Sequence, residues 1–244
     1  MYKGFHQLEL RRCGGSQIVI GGTSKTLQER PPTVVSRRPV DTVQYIYAKW
    51  DDKFAKVKLE ASTIGHVNLN GIETKKDDPS RTLVGMARPY ESRRDHIHWA
   101  DTPETKMFIL SWYNRRPKDF KCFPARDWRT DSAQWEEISS AFRIEFLVWG
   151  DEAVKVSSSG EIKNSARRSK AHLAIGFDGA HPEMTIPLSE PAAAEVWQSF
   201  NATAEKRFQG EEGYHYLTLL GKARPGESLV TRGRVTVLTF STMG

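Results

Sequence analysis

The chain of 244 residues lacks the long apolar runs that membrane proteins need. No stretch approaches the roughly 18 apolar residues that cross a bilayer, and Met1–His6 contains no apolar signal core. Internal repeats and low-complexity tracts are also absent from the sequence. We therefore expect a folded protein that does not insert into a membrane and carries no cleaved export signal.

Cysteine is scarce. Cys13 and Cys122 are far apart, and neither has the paired spacing of a zinc or redox motif. Two cysteines do not make a disulfide framework, so we expect free thiols. A bond within the chain or between chains stays an open alternative once the protein leaves a reducing compartment.

The sequence also lacks familiar catalytic motifs. Gly-x-Ser-x-Gly, His-Glu-x-x-His and a Gly-rich phosphate loop before a helix are all missing. Carboxylates are adjacent in Asp77-Asp78 and Glu136-Glu137, but neighbours on a strand point to opposite faces, which does not suit an acid/base pair. A polysaccharide hydrolase needs two carboxylates across a cleft, and the sequence alone does not identify them. We predict no enzymatic activity, no catalytic residues and no cofactor.

Short stretches rich in β-branched and aromatic residues recur along the chain, between turns of Gly, Pro and Asp. Such stretches predict strands that are buried on at least one face. They are His6–Arg11, Gln17–Ile20, Gln44–Trp50, Phe54–Glu60, Arg81–Ala87, Met107–Arg116, Ala141–Trp149, Glu152–Val156, Ala171–Phe177, Tyr214–Leu220, Leu229–Val230 and Arg234–Ser241.

The pairing of these strands follows partly from the turns. Asp51–Lys53 predicts a hairpin into Phe54–Glu60, and Gly150-Asp151 predicts that Glu152–Val156 returns beside the preceding strand. Only Ser189–Phe208 has helical propensity, and we expect a short helix or a loop there. The pattern predicts an all-β protein, with a small N-terminal β module (1–87) followed by a larger, jelly-roll-like antiparallel β-sandwich (88–244).

Positive charge is concentrated in the first module. The net charge is +6, and residues 1–87 contain 14 Lys and Arg against 9 Asp and Glu. Such a surface could meet nucleic acid, an acidic partner or an anionic cell surface. No aromatic stacking motif accompanies the cations, as it does in single-strand binders. A solvated surface is the favoured interpretation, without specific nucleic-acid binding.

His96-Ile-His98 is the sharpest candidate for a metal site. On a strand both imidazoles would point to one face and reach one ion, with Asp95 or Asp101 nearby. No third ligand follows at a known spacing. We therefore favour an exposed polar edge or loop and predict no metal site.

Other polar and aromatic motifs have structural interpretations. In Gly213–Tyr216, His215 fits a strand residue that is hydrogen-bonded at a sheet surface, and in Gly176–Gly179, Asp178-Gly179 supplies a turn after a strand. Trp99, Trp128 and Trp135 lie in polar, loop-like surroundings. They would form either a sugar-stacking or partner surface or, as we favour, buried anchors of loops.

Several segments match a known family in their amino-acid sequence and in their order along the chain. They are Cys13–Ile18, Gln44–Ala48, Leu59–Thr63 with Gly65-His66, Asn70–Thr74, Arg81–Met86, Ser111–Arg116, Arg143–Trp149, Gly176–Gly179 and Glu212–Gly221. This sequence resembles the structural virion proteins of tailed bacteriophages that are labelled tail-fibre, tail or collar proteins. The resemblance runs from about residue 8 to about residue 222.

The resemblance implies a non-enzymatic module built into a virion in the bacterial cytoplasm, with a homotrimer as the expected assembly. The first module would dock onto other virion proteins of the neck, tail or capsid, and the second would assemble with its copies or face outward. The alternative is a host-surface glycan-binding adhesin module of a tail fibre or baseplate. The resemblance leaves the position on the particle, the host and the receptor open.

Overall fold

Strands form all the regular secondary structure that the structure describes. The computed structural model describes residues 7–35, 40–91, 97–98, 105–168, 172–186, 188 and 193–243, and no helix occurs among them. The strands are β1 (Gln7–Glu9), β2 (Gln17–Ile20), β3 (Thr23–Thr26), β4 (Thr33–Val35), β5 (Gln44–Asp51), β6 (Lys56–Ser62), β7 (His66–Leu69), β8 (Ile72–Lys75), β9 (Asp78–Ala87), β10 (Tyr90–Glu91), β11 (Ile97–His98), β12 (Lys106–Met107), β13 (Ile109–Ser111), β14 (Lys118–Cys122), β15 (Trp128–Thr130), β16 (Glu136–Glu137), β17 (Arg143–Val148), β18 (Ala153–Asn164), β19 (His172–Phe177), β20 (Pro182–Ile186), β21 (Gln198–Arg207), β22 (Gly213–Lys222), β23 (Leu229–Thr231) and β24 (Val237–Thr242). The all-β prediction is confirmed.

The chain forms two compact units. Met1–Asp101 and Met107–Arg116 belong to the first, and Thr102–Lys106 and Pro117–Met243 to the second. This division differs from the predicted boundary after residue 87. The physical reason is that β13 pairs antiparallel with β9, so the backbone hydrogen bonds of Ile109–Ser111 place this segment in the sheet of the first unit.

The main sheet of the first unit has the strand order β6-β5-β9-β8-β7, with β13 also paired to β9. The predicted hairpin of β5 and β6 is confirmed, with Asp51 opposite Lys56. Its turn extends through Ala55, so the second strand begins two residues later than predicted. One face of the sheet is apolar and packs in a core with residues of the two-stranded sheet β2-β3 and with Leu8 and Leu27. At the far edge, β7 and β8 are joined by Asn70 and Gly71. Both of these residues have positive φ, which is the conformation of a tight two-residue hairpin turn.

The second unit is a β-sandwich of two six-stranded antiparallel sheets. One sheet has the order β12-β17-β22-β19-β20 with β16 on β22, and the other has the order β14-β24-β18-β23-β15 with β21 on β18. Phenylalanines from both sheets fill the space between them. The Phe146 ring of β17 lies 4.4 Å from the Phe240 ring of β24, and Phe177 lies 5.9 Å from Phe208. The predicted sandwich therefore has an aromatic core between its sheets.

The predicted pairing of Glu152–Val156 with the preceding strand is wrong. β17 pairs with β22 in one sheet, whereas β18 pairs with β21, β23 and β24 in the other. Glu152 causes the difference, because its carboxylate accepts a hydrogen bond from Trp149 N at 3.0 Å and its own N–H donates to Trp149 O at 3.0 Å. These two bonds form an arch that carries the chain from one sheet to the other.

The predicted helix or loop at Ser189–Phe208 is wrong for half of its length. β21 occupies Gln198–Arg207 and pairs with β18 over ten residues. For these ten residues the long backbone ladder along β18 favours a strand over a helix. Residues 189–192 of the predicted segment lie outside the described residues.

Candidate interaction surface

The predicted His96/His98 motif falls outside the described side chains. His96 is not described, and His98 is described only as backbone in β11, opposite Tyr90. Within the ranges that the structure describes, no group of three or more His, Cys, Asp and Glu side chains is placed to hold a metal ion. The described part of the chain also contains no helix with the length and apolarity needed to cross a membrane.

Asp178 and His215, which the sequence placed in two separate motifs, form one cluster. Asp178 Oδ2 lies 2.6 Å from His215 Nδ1, and Asp178 Oδ1 accepts a hydrogen bond from Tyr216 N at 2.8 Å. The other ring nitrogen of His215 lies 2.9 Å from the carbonyl oxygen of Glu211. The cluster forms because β19 and β22 are adjacent, with Phe177 opposite Leu217.

The surroundings of His215 favour its protonated form. Burial lowers the pKa of the imidazole, but the hydrogen bonds to the Asp178 carboxylate and the Glu211 carbonyl outweigh it and raise the pKa above its ordinary value. An imidazolium donates from both nitrogens, as these two acceptors require. The expected hydrogen-bonded strand histidine is confirmed, and its role in this geometry is to fasten the end of β19 to the start of β22.

Glu60 is the centre of a second charged cluster, on the outer face of the main sheet of the first unit. Its carboxylate accepts hydrogen bonds from Lys49 at 2.9 Å, Lys75 at 2.8 Å and Arg81 at 3.0 Å. These cations come from β5, β8 and β9. Burial raises the pKa of Glu60, but the three hydrogen-bonded cations outweigh it and lower the pKa to about 2. One carboxylate thus links four strands.

An aromatic cluster lies on the same outer face, where His66 of β7 is opposite Lys75 of β8. His66 Nδ1 lies 2.6 Å from Glu73 Oε2, and the His66 ring lies 5.6 Å from the Trp112 ring. The guanidinium of Arg115 lies 4.5 Å above Trp112, and Tyr113 beside it is 58% exposed. The cluster holds Ser111–Arg116, one of the segments that resemble the phage family, against the β7–β8 hairpin.

The tryptophans that were candidates for a sugar platform have separate surroundings. Trp99 lies outside the described residues. Trp128 belongs to β15 and packs on Gly221, where a Cβ atom would come within 2.9 Å of its ring. Trp135 contacts the His172 ring edge-on, and Lys222 Nζ lies 4.8 Å above it. Both rings are partly buried. The packing of Trp128 on Gly221 favours its interpretation as an anchor, whereas part of the Trp135 ring remains exposed.

Three exposed apolar side chains of the first unit lie on or next to β7, apart from Phe54 in the β5–β6 turn and Tyr113. Ile64, Val67 and Leu69 are 48%, 50% and 49% exposed. β7 ends the main sheet and pairs with β8 only, among the strands that the structure describes. This feature had no counterpart in the sequence-based predictions, although the strand His66–Leu69 contains no Lys, Arg, Asp or Glu. A strand edge with apolar side chains is a surface for protein association.

The two cysteines differ in access to solvent. Cys13 is an exposed free thiol, whereas Cys122 is a buried one. Cys122 Sγ lies 3.8 Å from the carbonyl oxygen of Ala141. The expectation of free thiols agrees with this arrangement, and only Cys13 is accessible.

Comparison with known proteins gives loose structural likenesses. No protein-family model matches the chain, and no curated protein matches it. One match is a chain in the structure of infectious bursal disease virus, Gx strain. Its sequence is 11% identical to this one, and the alignment covers 98% of this chain and 74% of the viral chain at a TM-score of 0.31. The VP2 protein of that virus in T=1 particles is 10% identical, with coverages of 97% and 76% and a TM-score of 0.28.

The mosquito-larvicidal Cry4Aa toxin from Bacillus thuringiensis also matches. It is 6% identical, with 91% of this chain aligned to 46% of the toxin chain at a TM-score of 0.27. At these identities and TM-scores, the likenesses identify neither a family nor a function for this chain.

Proposed function

We propose that the chain is a non-enzymatic structural component of a tailed-phage virion, in the neck, collar or tail-fibre apparatus, that acts through protein–protein contacts. The resemblance of its segments to such proteins supports the class of particle. The observation that carries the contact function is the exposed apolar edge of the first unit, where Ile64, Val67 and Leu69 are each about half exposed.

The two edges of the main sheet differ in a way that supports this function. β6, at one edge, carries Lys56, Lys58 and Glu60. Charged side chains on an edge strand discourage pairing with another chain. β7, at the other edge, carries none. Because one edge is charged and the other is apolar, the first unit has one defined side for docking.

The charged clusters support a structural role for the polar residues. Glu60 is engaged by three cations, and His215 is engaged at both ring nitrogens. Side chains held in this way fasten strands together. The function proposed here therefore depends on surfaces, with the first unit docking onto other virion proteins and the sandwich assembling with its copies.

Mass spectrometry of purified particles tests the class of function, and native mass measurement tests the assembly. We expect the protein in the particles and a homo-oligomer built on the homotrimer that the family resemblance implies. A protein that is monomeric at micromolar concentration and missing from particles contradicts the proposal.

A second candidate function is binding of a host-surface glycan. The partly exposed Trp135, whose ring is flanked by His172 and Lys222, is the observation that favours it. It predicts saturable binding on a glycan array that Trp135→Ala abolishes. Trp128→Ala is a poorer test, because that ring packs on Gly221 and its loss would disturb the sandwich. A flat array result contradicts this candidate.

A further inference from the structure

The hairpin turn determines which backbone groups of β7 point away from the sheet. Leu69 and Ile72 flank the two-residue turn and lie opposite each other. In such a hairpin the flanking residues form a hydrogen-bonded pair, and the pairs then alternate along the strands. Leu69 and Val67 therefore direct their N–H and C=O groups toward β8. Asn68, between them, directs its N–H and C=O groups toward the side with no neighbour among the described strands.

The side chains of β7 also alternate, so that Val67 and Leu69 point to one face of the sheet and Asn68 points to the other. Val67 lies opposite Thr74, and Leu69 lies opposite Ile72, so these four residues share one face of the sheet. It is the face on which Thr74 is buried. At β7 this face is not covered by described residues, which leaves half of each apolar side chain exposed. An added strand would cover Val67 and Leu69 and pair with Asn68.

We propose that the added strand is β7 of a second copy of this chain, related by a two-fold axis that passes beside Asn68. This inference rests on the proposed function and assigns the apolar edge of the first unit to a second copy, which leaves contacts with other virion proteins to the remaining surface of that unit. In an antiparallel pair about this axis, Asn68 of one copy lies opposite Asn68 of the other and exchanges both backbone hydrogen bonds with it. Val67 then lies opposite Leu69, and Leu69 opposite Val67, on the apolar face.

This register covers the apolar side chains of β7 better than the neighbouring registers do. An axis beside Val67 places Leu69 opposite Gly65, which has no side chain to cover it. A shift by one residue places Val67 opposite Asn68 and sends the apolar faces of the two copies to opposite sides of the joined sheet. The axis beside Asn68 alone pairs both exposed apolar side chains with each other.

Charge also permits a pairing of like strands. His66–Leu69 contains no Lys, Arg, Asp or Glu, so no like charges face each other across the axis. The same symmetric pairing of β6 would bring Lys56, Lys58 and Glu60 together with their own copies. The two-fold contact joins chains in pairs, and in combination with a trimer it gives six copies.

A single cysteine on β7 tests the register. In a Cys13→Ser background, Asn68→Cys places a thiol opposite its own copy, with the Cα atoms about 5.5 Å apart, a distance that a disulfide spans. We expect a covalent dimer under mild oxidation of the folded full-length protein. Val67→Cys in the same background should give at least tenfold less dimer, because Val67 faces Leu69. Lys58→Cys, on the charged edge, is the control and should stay monomeric in a denaturing gel.

A charge on the apolar edge provides a second test that does not depend on cysteine chemistry. Val67→Lys should weaken self-association at least tenfold, as measured by native mass against concentration, because a lysine on an edge strand opposes pairing. Val235→Lys is the matched control, since Val235 is 46% exposed and lies in the second unit. It should leave the two-fold pairing through β7 unchanged.

These outcomes separate the inference from the proposed function. The two-fold pairing is supported by two results together. The native mass should correspond to two or six copies and be halved by Val67→Lys, and Asn68→Cys should give a covalent dimer. A mass of one or three copies, or a dimer from Val67→Cys in place of Asn68→Cys, overturns it. If the protein is nevertheless found in particles, the proposed virion function stands and only the pairing fails. Absence from particles contradicts the proposed function itself.

Discussion

At the scale of single residues, Glu60 connects four strands of the first unit, because its carboxylate on β6 accepts hydrogen bonds from cations on three neighbouring strands. Lys49, Lys75 and Arg81 all approach it within 3.0 Å. Loss of its charge would leave three cations close together on one face of a sheet. The pKa of about 2 that this arrangement gives to Glu60 also fixes how its contribution varies with pH.

We expect Glu60→Gln to lower the free energy of unfolding by about 1–2 kcal/mol near neutral pH, after allowance for solvent screening of partly exposed charges. Because the pKa is about 2 in the folded protein and 4.5 ordinarily, the stabilisation is present above the ordinary value. It is lost as the pH falls through the folded value. Urea unfolding at several pH values should therefore show the difference between variant and parent shrinking in acid.

Glu183→Gln is the matched control for Glu60→Gln. Glu183 is half exposed and pairs with one cation, Lys206, at 2.8 Å. Exposed single pairs contribute about 0–1 kcal/mol, so this variant should remain close to the parent at every pH. An equal loss in both variants would contradict the role of Glu60 as a shared centre.

Asp178→Asn tests the other charged cluster. We expect this change to lower the pKa of His215, measured from its imidazole NMR signals, because the carboxylate that raises it is gone. The folded pKa of His215 is raised, so its stabilisation is complete below the ordinary pKa of 6.5 and disappears as the pH rises through the folded value. The variant should therefore lose about 1.5 kcal/mol in mild acid and much less in alkali.

Asp52→Asn is the control for Asp178→Asn, since Asp52 is an exposed turn carboxylate. It should leave the His215 titration unchanged. A loss of stability in Asp178→Asn that is the same in acid and in alkali would show that the carboxylate acts only as a neutral turn acceptor.

The sequence predicted half of this cluster. The alternation around His215 indicated a hydrogen-bonded strand histidine, and Asp178-Gly179 indicated a turn. Their contact depends on β19 lying beside β22, and the two residues are 37 positions apart in the sequence. No local pattern specifies which of several similar apolar strands will be neighbours, so the pair was not foreseeable.

At the scale of elements, a glycine allows one segment of backbone to pack closely against another. Gly160 lies on β18, opposite Phe200 of β21. A Cβ atom there would lie 2.7 Å from the Cα atom of Thr236. Thr236 in turn donates from its hydroxyl to Arg232 O at 2.8 Å, which shapes the turn before β24. Gly160 therefore allows the β23–β24 turn to pack onto β18.

We expect Gly160→Ala to destabilise the protein by about 1–3 kcal/mol through overpacking. Gly15→Ala is the matched control, because an added Cβ atom at Gly15 meets no atom within 4 Å and its φ is not in the left-handed region. Thermal unfolding of the two variants beside the parent measures the difference. Equal melting temperatures for the two variants would contradict the packing argument.

The elements that the sequence predicted well are those whose partner is local. The β5–β6 hairpin follows from the Asp51–Lys53 turn and the alternation of Val57 and Leu59 on the buried face. The sequence around Glu152 has the same pattern, because a predicted strand, a Gly-Asp turn and a second predicted strand follow one another. A buried carboxylate that binds Trp149 N changes the outcome, and the sequence does not reveal this burial.

At the scale of the whole molecule, the two units have different surfaces and different cores. The apolar and charged edges of the main sheet lie in the first unit, and the aromatic sandwich core lies in the second. The sequence predicted two β modules because strand patterns continue on both sides of Arg81–Arg116. It placed Met107–Arg116 in the wrong module, since pairing of β13 with β9 is a tertiary contact between residues 22 or more positions apart in the sequence.

The two thiols offer a prediction about covalent linkage between whole molecules. We expect one thiol per folded chain to react with a water-soluble thiol reagent, and two in denaturant, because Cys13 is exposed and Cys122 is buried. Cys13→Ser should remove the fast reaction and any disulfide-linked dimer formed in air. Cys122→Ala should keep one reactive thiol in the folded state and add none on unfolding. Two fast thiols in the folded parent would place Cys122 within reach of solvent and contradict the prediction. No fast thiol would mean that Cys13 is already in a disulfide, and a non-reducing gel then distinguishes a bond to Cys122 from a bond to a second copy.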